Sequence, residues 1–335
     1  MKVLLDHPFP FLLAHGGFQI QIEQTHAALN RIGIETEYLQ WWNPAQRGDI
    51  IHYFGRPDTS YLQQARQKGY KVAFAELLGG LSIRPAWARK MQKAAIAASR
   101  SLLPPVATRR FDWQTYLAAD ACIAVTPWEA HLMQDVFGAP ADKIHIIPNG
   151  VENDFFQSAP ETRGQWLVVV ASIFPVKRIL ETAQAAVLAQ TPCWFIGRPL
   201  SETDAYYRTF LDLQQRHQQW IRYDGAIASR PKLAQALRQA RGFVLLSHWE
   251  SLSLSTLEAA ACECRVLLSD QPWAHGAIGE NARYCPIAPP AHTAPYLRKF
   301  YDQCSTLLPP PKPLTWDSVA QKLKIVYERL LSTSA

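Results

Sequence analysis

GFVLLSHWESLSLSTLEAAACECRVLLS, residues 242–269, reads as a complete strand–helix–strand unit. GFVLLS (242–247) and RVLLS (265–269) are short, nearly unbroken apolar runs, the pattern of strands buried on both faces. Between them, 253–262 has helical composition, and Ser251, Ser253 and Ser255 are residue types that start helices. Two buried strands joined through a helix are parallel, because a tight turn cannot make that connection. Residues 242–269 therefore predict an α/β protein built on parallel sheet.

The same alternation extends in both directions. Toward the N-terminus lie strand WLVVVAS (166–172), helix 177–190, strand CWFIG (193–197), helix 203–218, strand 220–224 and helix 230–240. QSAPETRGQ (157–165) is polar and holds Pro and Gly, as a linker does. Before it the pattern runs once more. Strands are predicted at KVLL (2–5), TEYLQ (36–40), DIIHYF (49–54), KVAFA (71–75), ACIAV (121–125) and KIHII (143–147). Helices are predicted at 17–32, 59–67 and 127–137, with a long helical region before ACIAV. LLPPPKPL (307–314) is a stiff connector before a last helix at 315–332. The reading is two Rossmann-like domains, 1–157 and 158–314, followed by a C-terminal helix, 315–335. Ligands of open α/β sheets bind beyond the carboxyl ends of the strands, so two facing sheets would hold a ligand in the cleft between them.

Composition narrows the class. The chain has 335 residues, 48% hydrophobic and 19% charged, an ordinary balance for two globular cores. A net charge of +6 is a weak argument for an anionic partner. Cys122, Cys193, Cys262, Cys264, Cys285 and Cys304 are scattered without a CxxC pair, which predicts buried free thiols in a reducing compartment. The start, MKVLLDHPF, is broken by Asp6 and does not read as a signal peptide, and no window approaches a membrane span. A cytoplasmic protein is expected.

The chemistry concentrates in SHWESLSLSTLEAAA (247–261), where an apolar strand turns into a helix. Free N–H groups and the positive dipole end at a helix start suit a diphosphate. Glu250 lies in the turn and Glu258 eight residues later in the helix. A carboxylate accepts two hydrogen bonds at once, so each acid suits a vicinal diol, one of a sugar and one of a ribose. The same residues also suit a helix cap and an ordinary helix Glu, and spacing alone leaves both readings open. D-x-D, GxGxxG, GxxxxGK[ST] and GxSxG are all missing, which disfavours a metal clamp of the D-x-D kind, dinucleotide oxidoreduction, P-loop chemistry and a serine-hydrolase elbow.

SHWESLSLSTLEAAA resembles the E-x7-E motif of family 4 of the GT-B glycosyltransferases. Four further segments resemble that family in register: HGGFQIQIEQTHAALNRIG (15–33), 120–156 with its IPNGV, ASIFPVKRILETAQAA (171–186) and TWDSVAQKLKIVYERLL (315–331). The resemblance implies a retaining, metal-independent transfer of sugar from a nucleotide diphosphate sugar, with UDP or GDP, to a hydroxyl acceptor. No cofactor and no metal are implied. Glu250 would bind donor sugar hydroxyls and Lys177 would neutralise the leaving diphosphate. Ser251, Leu252 and Ser253 would assist through the backbone, and Glu258 would bind the ribose. Gly16 and Gly17 would let the N-terminal loop approach the phosphates. Ser172, Arg178 and Gly197 line the same donor side. Where the family has Arg, five residues before the Lys, this chain has Ser172; one diphosphate cation is then missing, or is supplied by Arg178, Arg198 or a residue of the other domain. Ser251–Leu252–Ser253 stands where the family has Gly–Phe–Gly. No His follows KVAFA, so His15, His52 and Glu76 are the acceptor-side candidates, His15 first. A GT-B epimerase or hydrolase, or a non-catalytic nucleotide-sugar-binding protein, are the rival functions.

One stretch stands outside these motifs. Arg84, Arg89, Lys90, Lys93, Arg100, Arg109 and Arg110 fall between Glu76 and Asp112 without one acid, and Trp87, Met91, Ile96, Leu102 and Leu103 are interleaved. Residues 84–110 are expected to face an anionic or lipid-linked acceptor, or to contact the inner face of a membrane. No nucleic-acid recognition motif accompanies the charge.

Overall fold

A computed structural model of the protein describes residues 1–11, 16–102, 113–157 and 162–332. The chain divides into two compact units, Met1–Gly150 with Leu314–Ala335, and Val151–Pro313.

The first unit contains β1 (Lys2–Asp6), α1 (Gly17–Arg31), β2 (Glu35–Tyr38), β3 (Ile50–Phe54), α2 (Thr59–Gln67) and β4 (Lys71–Ala75). It continues with α3 (Gly79–Ser82), α4 (Ala86–Leu102), α5 (Thr115–Ala118), β5 (Ala121–Ala124), α6 (Pro127–Asp135) and β6 (Ile144–Ile146). The six strands are parallel in the order β2-β1-β3-β4-β5-β6. Local chemistry sets the helix starts. Asp58 accepts from the Tyr61 N–H at 2.7 Å to cap α2, and Thr126 accepts from Glu129 N–H at 3.1 Å before Pro127 opens α6. The last helix, α13 (Trp316–Ser332), packs on α1, where Arg31 pairs with Asp317 at 2.6 Å. Its approach leaves no room beside Gly150, where a Cβ would lie 2.6 Å from the backbone of Trp316.

The second unit contains β7 (Leu167–Val170), α7 (Ile179–Leu188), β8 (Cys193–Ile196), α8 (Ala205–Arg216), β9 (Ile221–Tyr223), α9 (Arg230–Gln239) and β10 (Gly242–Leu245). Then come α10 (Leu254–Ala261), β11 (Val266–Ser269), α11 (Pro272–Ile278), β12 (Arg283–Cys285) and α12 (Pro290–Gln303). Its strands are also parallel, in the order β12-β11-β10-β7-β8-β9. Counted from β7, that is the doubly wound order 3-2-1-4-5-6, whose strand order reverses between β7 and β10. The core holds β7, β8 and β10 residues with Ala183, Ala186, Leu297 and Phe300 from the helices. All six cysteines are free and buried.

The α/β expectation holds. The domain boundary is expected after residue 157, and the compact units divide at 150/151, with Phe155 buried and Glu152 ion-paired within the second unit. The linker expected at 157–165 lies partly outside the described residues. The sequence reading also lacked α11, β12 and α12. β12 is a three-residue edge strand with one fully buried residue, and α12 starts on two prolines and carries Pro295 inside it.

Candidate functional site

β7 and β10 are neighbours on either side of the strand-order reversal, so the loops leaving their carboxyl ends meet at one edge. After β7 the chain runs against the loop after β8: Ala171 N–H donates to Ile196 at 3.1 Å and Ile173 N–H to Arg198 at 2.9 Å. A Cβ on Gly197 would fall 1.9 Å from the Ala171 carbonyl oxygen, so only glycine fits there. Ser172 is half-buried in this loop. Residues Pro175–Lys177 then make one 3-10 turn, and Arg178 takes a left-handed conformation, φ 52°, that redirects the chain into α7. The Arg178 side chain is buried and donates to the Ala288 carbonyl. It thereby ties the start of α7 to the segment after β12, and its Nη1 has no hydrogen-bond partner among the described residues.

The loop after β10 carries the acid. His248 N–H donates to the Val176 carbonyl at 2.8 Å, which stitches this loop to the one holding Lys177. Ser269 Oγ fixes the Ser247 carbonyl at 2.6 Å, and Ser247 Oγ donates to Glu250 Oε1 at 2.7 Å. Lys177 Nζ lies 2.5 and 2.6 Å from the two Glu250 oxygens. The Glu250 side chain is 10% exposed and that of Lys177 21%. The result is one anion and one cation, each reachable, held in contact where two strand ends converge.

α10 starts next. Ser253 caps it, accepting from Thr256 N–H at 3.3 Å, and its Oγ lies 3.1 Å from that of Ser255. Leu252 is buried and Ser251 half-buried in the turn before the cap. Glu258 takes a different position from Glu250. It is buried in an ion triad in which Arg230 reaches Glu258 and Glu152, each at 2.5 Å, and stacks over Phe155 at 4.7 Å. Burial raises the Glu258 carboxyl pKa and the Arg230 guanidinium pulls it back, with a net rise. The structure thus brings Lys177 and Glu250 together and leaves Glu258 in the triad.

Ser247, Arg230 and Glu152 are functional-site neighbours that the sequence reading missed. Arg230 had one readable signal: a cation as the first residue of a helix opposes the helix dipole and implies anionic partners.

In the first unit, Gly16 caps α1 without a side-chain hydrogen bond, at φ 143°, and Gly17 is the first helical residue. A Cβ on Gly16 would meet nothing within 4 Å, so backbone conformation, not crowding, favours glycine there. His15 lies outside the described residues. His52 is a packing residue, not an exposed base: it is buried, its Nδ1 lies 2.6 Å from the Tyr327 hydroxyl, and burial pushes its pKa down to about 3. Glu76 has both oxygens engaged, by Arg56 at 2.7 and 2.8 Å and by the Tyr116 hydroxyl. Its carboxylate is a structural anion under α5.

Residues 49–155 match the family described as Glycosyltransferase Family 4. A D-inositol 3-phosphate glycosyltransferase of Jonesia denitrificans is 28% identical over 178 residues, 45% of this chain and 41% of that relative. This chain thus aligns with about two fifths of the relative's length. A glycosyltransferase of Rickettsia africae superposes with a TM-score of 0.66 at 13% identity, over 98% of both chains. HepE of Anabaena, solved with UDP and glucose, superposes with a TM-score of 0.64 at 11% identity, over 99% of both. At such identities the likeness is one of fold. The GT-B fold and the resemblance to family 4 are borne out.

Proposed function

We propose that this chain, a GT-B protein similar to the family 4 glycosyltransferases, moves a sugar from a nucleoside diphosphate donor to a hydroxyl acceptor, retaining anomeric configuration and using no metal ion. The observation that carries the reading is the Lys177–Glu250 pair, held between the loops after β7 and β10 at the strand-order reversal of the second unit.

The chemistry follows from those groups. Glu250 offers two acceptor oxygens to the hydroxyls of the donor sugar. Lys177 moves its charge to the diphosphate as the bond from the anomeric carbon to phosphate oxygen breaks, where negative charge develops. The N–H groups at the start of α10, from Ser251 to Ser253, add partial positive charge. The leaving phosphate takes the proton of the incoming hydroxyl on the face where the new bond forms, so no protein nucleophile is needed. Gly197 lets the loops after β7 and β8 close tightly beside the diphosphate, and Arg178 or Arg198 supplies the second cation in place of Ser172. Glu258 meets the ribose by sharing hydrogen bonds that Arg230 now takes. Gly16 and Gly17 give a phosphate-approaching backbone, and His15 is the acceptor-side group. Uridine is the favoured base, since HepE was solved with UDP. The acceptor is a hydroxyl compound, anionic or lipid-linked, met on the cytoplasmic side.

Thermal-shift titration with UDP, GDP and their sugars tests the donor class, followed by release of nucleoside diphosphate with and without acceptor pools. No stabilisation by either nucleotide would overturn the reading. Ser172 favours one second reading, a nucleotide-sugar-binding protein without turnover. Saturable donor binding with no product from any acceptor would establish it.

A further inference from the structure

α4 is amphipathic the wrong way round for a surface helix. A helix on a soluble protein buries its apolar stripe and presents its charges. In α4, Trp87, Met91, Ala94, Ala95, Ala98 and Leu102 recur at the helical period and are all exposed, Trp87 at 65%, Met91 at 64% and Leu102 at 80%. Ile83, just before the helix, is exposed as well. The buried residues are only Ile96 and Ser99. Three of the cations have partners within the unit, Lys93 in an exposed pair. Arg100 donates to the Trp113 and Phe137 carbonyls at 2.9 and 2.8 Å. Lys93 pairs with Asp135 at 2.6 Å, and Arg89 lies 5.2 Å over the Trp128 ring.

This bears on the contact expected of residues 84–110: Arg89, Lys93 and Arg100 have partners within the unit, and an apolar strip is displayed beside the exposed cations. Arg109, Arg110 and Leu103 lie outside the described residues. Lys90 stays exposed beside the stripe, as does Arg84 one turn before it. No Asp or Glu occurs anywhere from residue 77 to 111. An apolar strip with Trp at one end and Leu at the other, flanked by Lys and Arg and lacking acids, complements one surface: the headgroup–acyl boundary of an anionic bilayer. At 17 residues, with Arg and Lys through its length, α4 is suited to lie in such an interface and is not long and apolar enough to cross a membrane.

We infer that α4 docks this protein onto anionic membrane, with Trp87, Met91, Ala94, Ala98 and Leu102 entering the interface and Arg84 and Lys90 resting on the headgroups. The inference is independent of glycosyl transfer and is tested without it. The six native cysteines are buried, so a single exposed thiol can be labelled selectively. Ala94→Cys carries a nitrobenzoxadiazole probe, and Gln218→Cys, exposed on the second unit, serves as control. Phosphatidylcholine vesicles with phosphatidylglycerol should raise emission at residue 94 and not at 218, and lipid-borne doxyl quenchers should remove the gain. Trp87→Ser with Met91→Ser should lower vesicle affinity at least about tenfold, the loss expected for one large apolar side chain that stays in water. Because both side chains are exposed in the free protein, the thermal midpoint should hold. Lys90→Glu should weaken binding to the phosphatidylglycerol vesicles as a second, charge-based variant. Emission at residue 94 that ignores vesicles, or that rises with protein concentration alone as a second copy covers the helix, would overturn the inference.

Discussion

Replacing Glu250 by Gln should tighten the grip on free nucleoside diphosphate while slowing sugar transfer. In the free protein Lys177 Nζ is shared by both Glu250 oxygens, at 2.5 and 2.6 Å. A diphosphate that takes a hydrogen bond from the same ammonium brings its phosphorus to about 6 Å from the carboxylate carbon, two hydrogen bonds through one tetrahedral nitrogen plus the bonds that carry the charged oxygens. Two unit charges at that distance repel by about 0.7 kcal/mol in water and about 2.8 kcal/mol at an effective dielectric of 20. Glu250 is mostly shielded and Lys177 partly open, so about 1.4 kcal/mol, a tenfold gain in affinity, is the working value. Gln keeps the shape and the bond from Ser247 but lacks the charge and one acceptor for the sugar, so kcat/KM with sugar nucleotide should fall at least about tenfold. Lys177→Ala acts in the opposite direction on the nucleotide. It removes a charge-assisted bond of about 1.5–3 kcal/mol and leaves Glu250 facing the phosphates unpaired. In the double variant, Glu250→Gln should recover part of that loss. Calorimetric titration with UDP, or with GDP if that is the better ligand, reads all three. Equal weakening of nucleotide binding by Glu250→Gln and Lys177→Ala would refute the reasoning, because the carboxylate would then be holding the diphosphate rather than competing with it for Lys177.

Three other outcomes are expected. Transfer should survive excess EDTA, since Lys177 and the start of α10 meet the phosphate charge; turnover that stops and returns with Mg²⁺ or Mn²⁺ would count against the mechanism. Gly197→Ala should destabilise by about 2–4 kcal/mol in chemical denaturation and weaken nucleotide binding, because its Cβ meets a fixed carbonyl at 1.9 Å; an unaltered midpoint would mean that the loops yield freely. His52 has its pKa lowered from 6.5 to about 3, so the unfolded chain takes up a proton there as the pH drops while the folded one does not, and stability present above pH 6.5 is lost on acidification. From pH 8 to 5 this amounts to about 2 kcal/mol, and denaturation of His52→Leu across that range should lack that part of the slope.

What could be read in advance follows how local the determinants are. β10, α10 and β11 were legible because each is a run of like residues whose burial is decided within the segment. Lys177 and Glu250 stood out through motif resemblance, but their contact, 73 positions apart in sequence, depends on which strands are neighbours. That order is a tertiary fact which no window contains. Glu258 shows the limit from the other side: its spacing fitted a ribose, while its observed partner Arg230 sits on another helix. His52 looked like a polar residue near a strand end, and only the arrival of Tyr327 gives its buried ring a hydrogen-bond partner. α4 was legible in composition but not in orientation: Arg89 and Arg100 turn to the unit while Trp87, Met91 and Leu102 stay exposed, which depends on neighbours outside the segment.

The first unit draws α13 from beyond the second, and this has a consequence for how the protein is made. A chain leaving the ribosome presents Met1–Gly150 before Val151–Pro313, yet Tyr327, the partner of His52, emerges 275 residues after it. Until then the face of α1 that receives α13, and the imidazole of His52, stay uncovered. Val151–Pro313 is contiguous and can fold as soon as it clears the exit. Of the two units, the one synthesised earlier is therefore completed later, against the usual N-to-C order. A premature stop just before Trp316 would spare the unit it adjoins in sequence and cripple the one that begins at Met1.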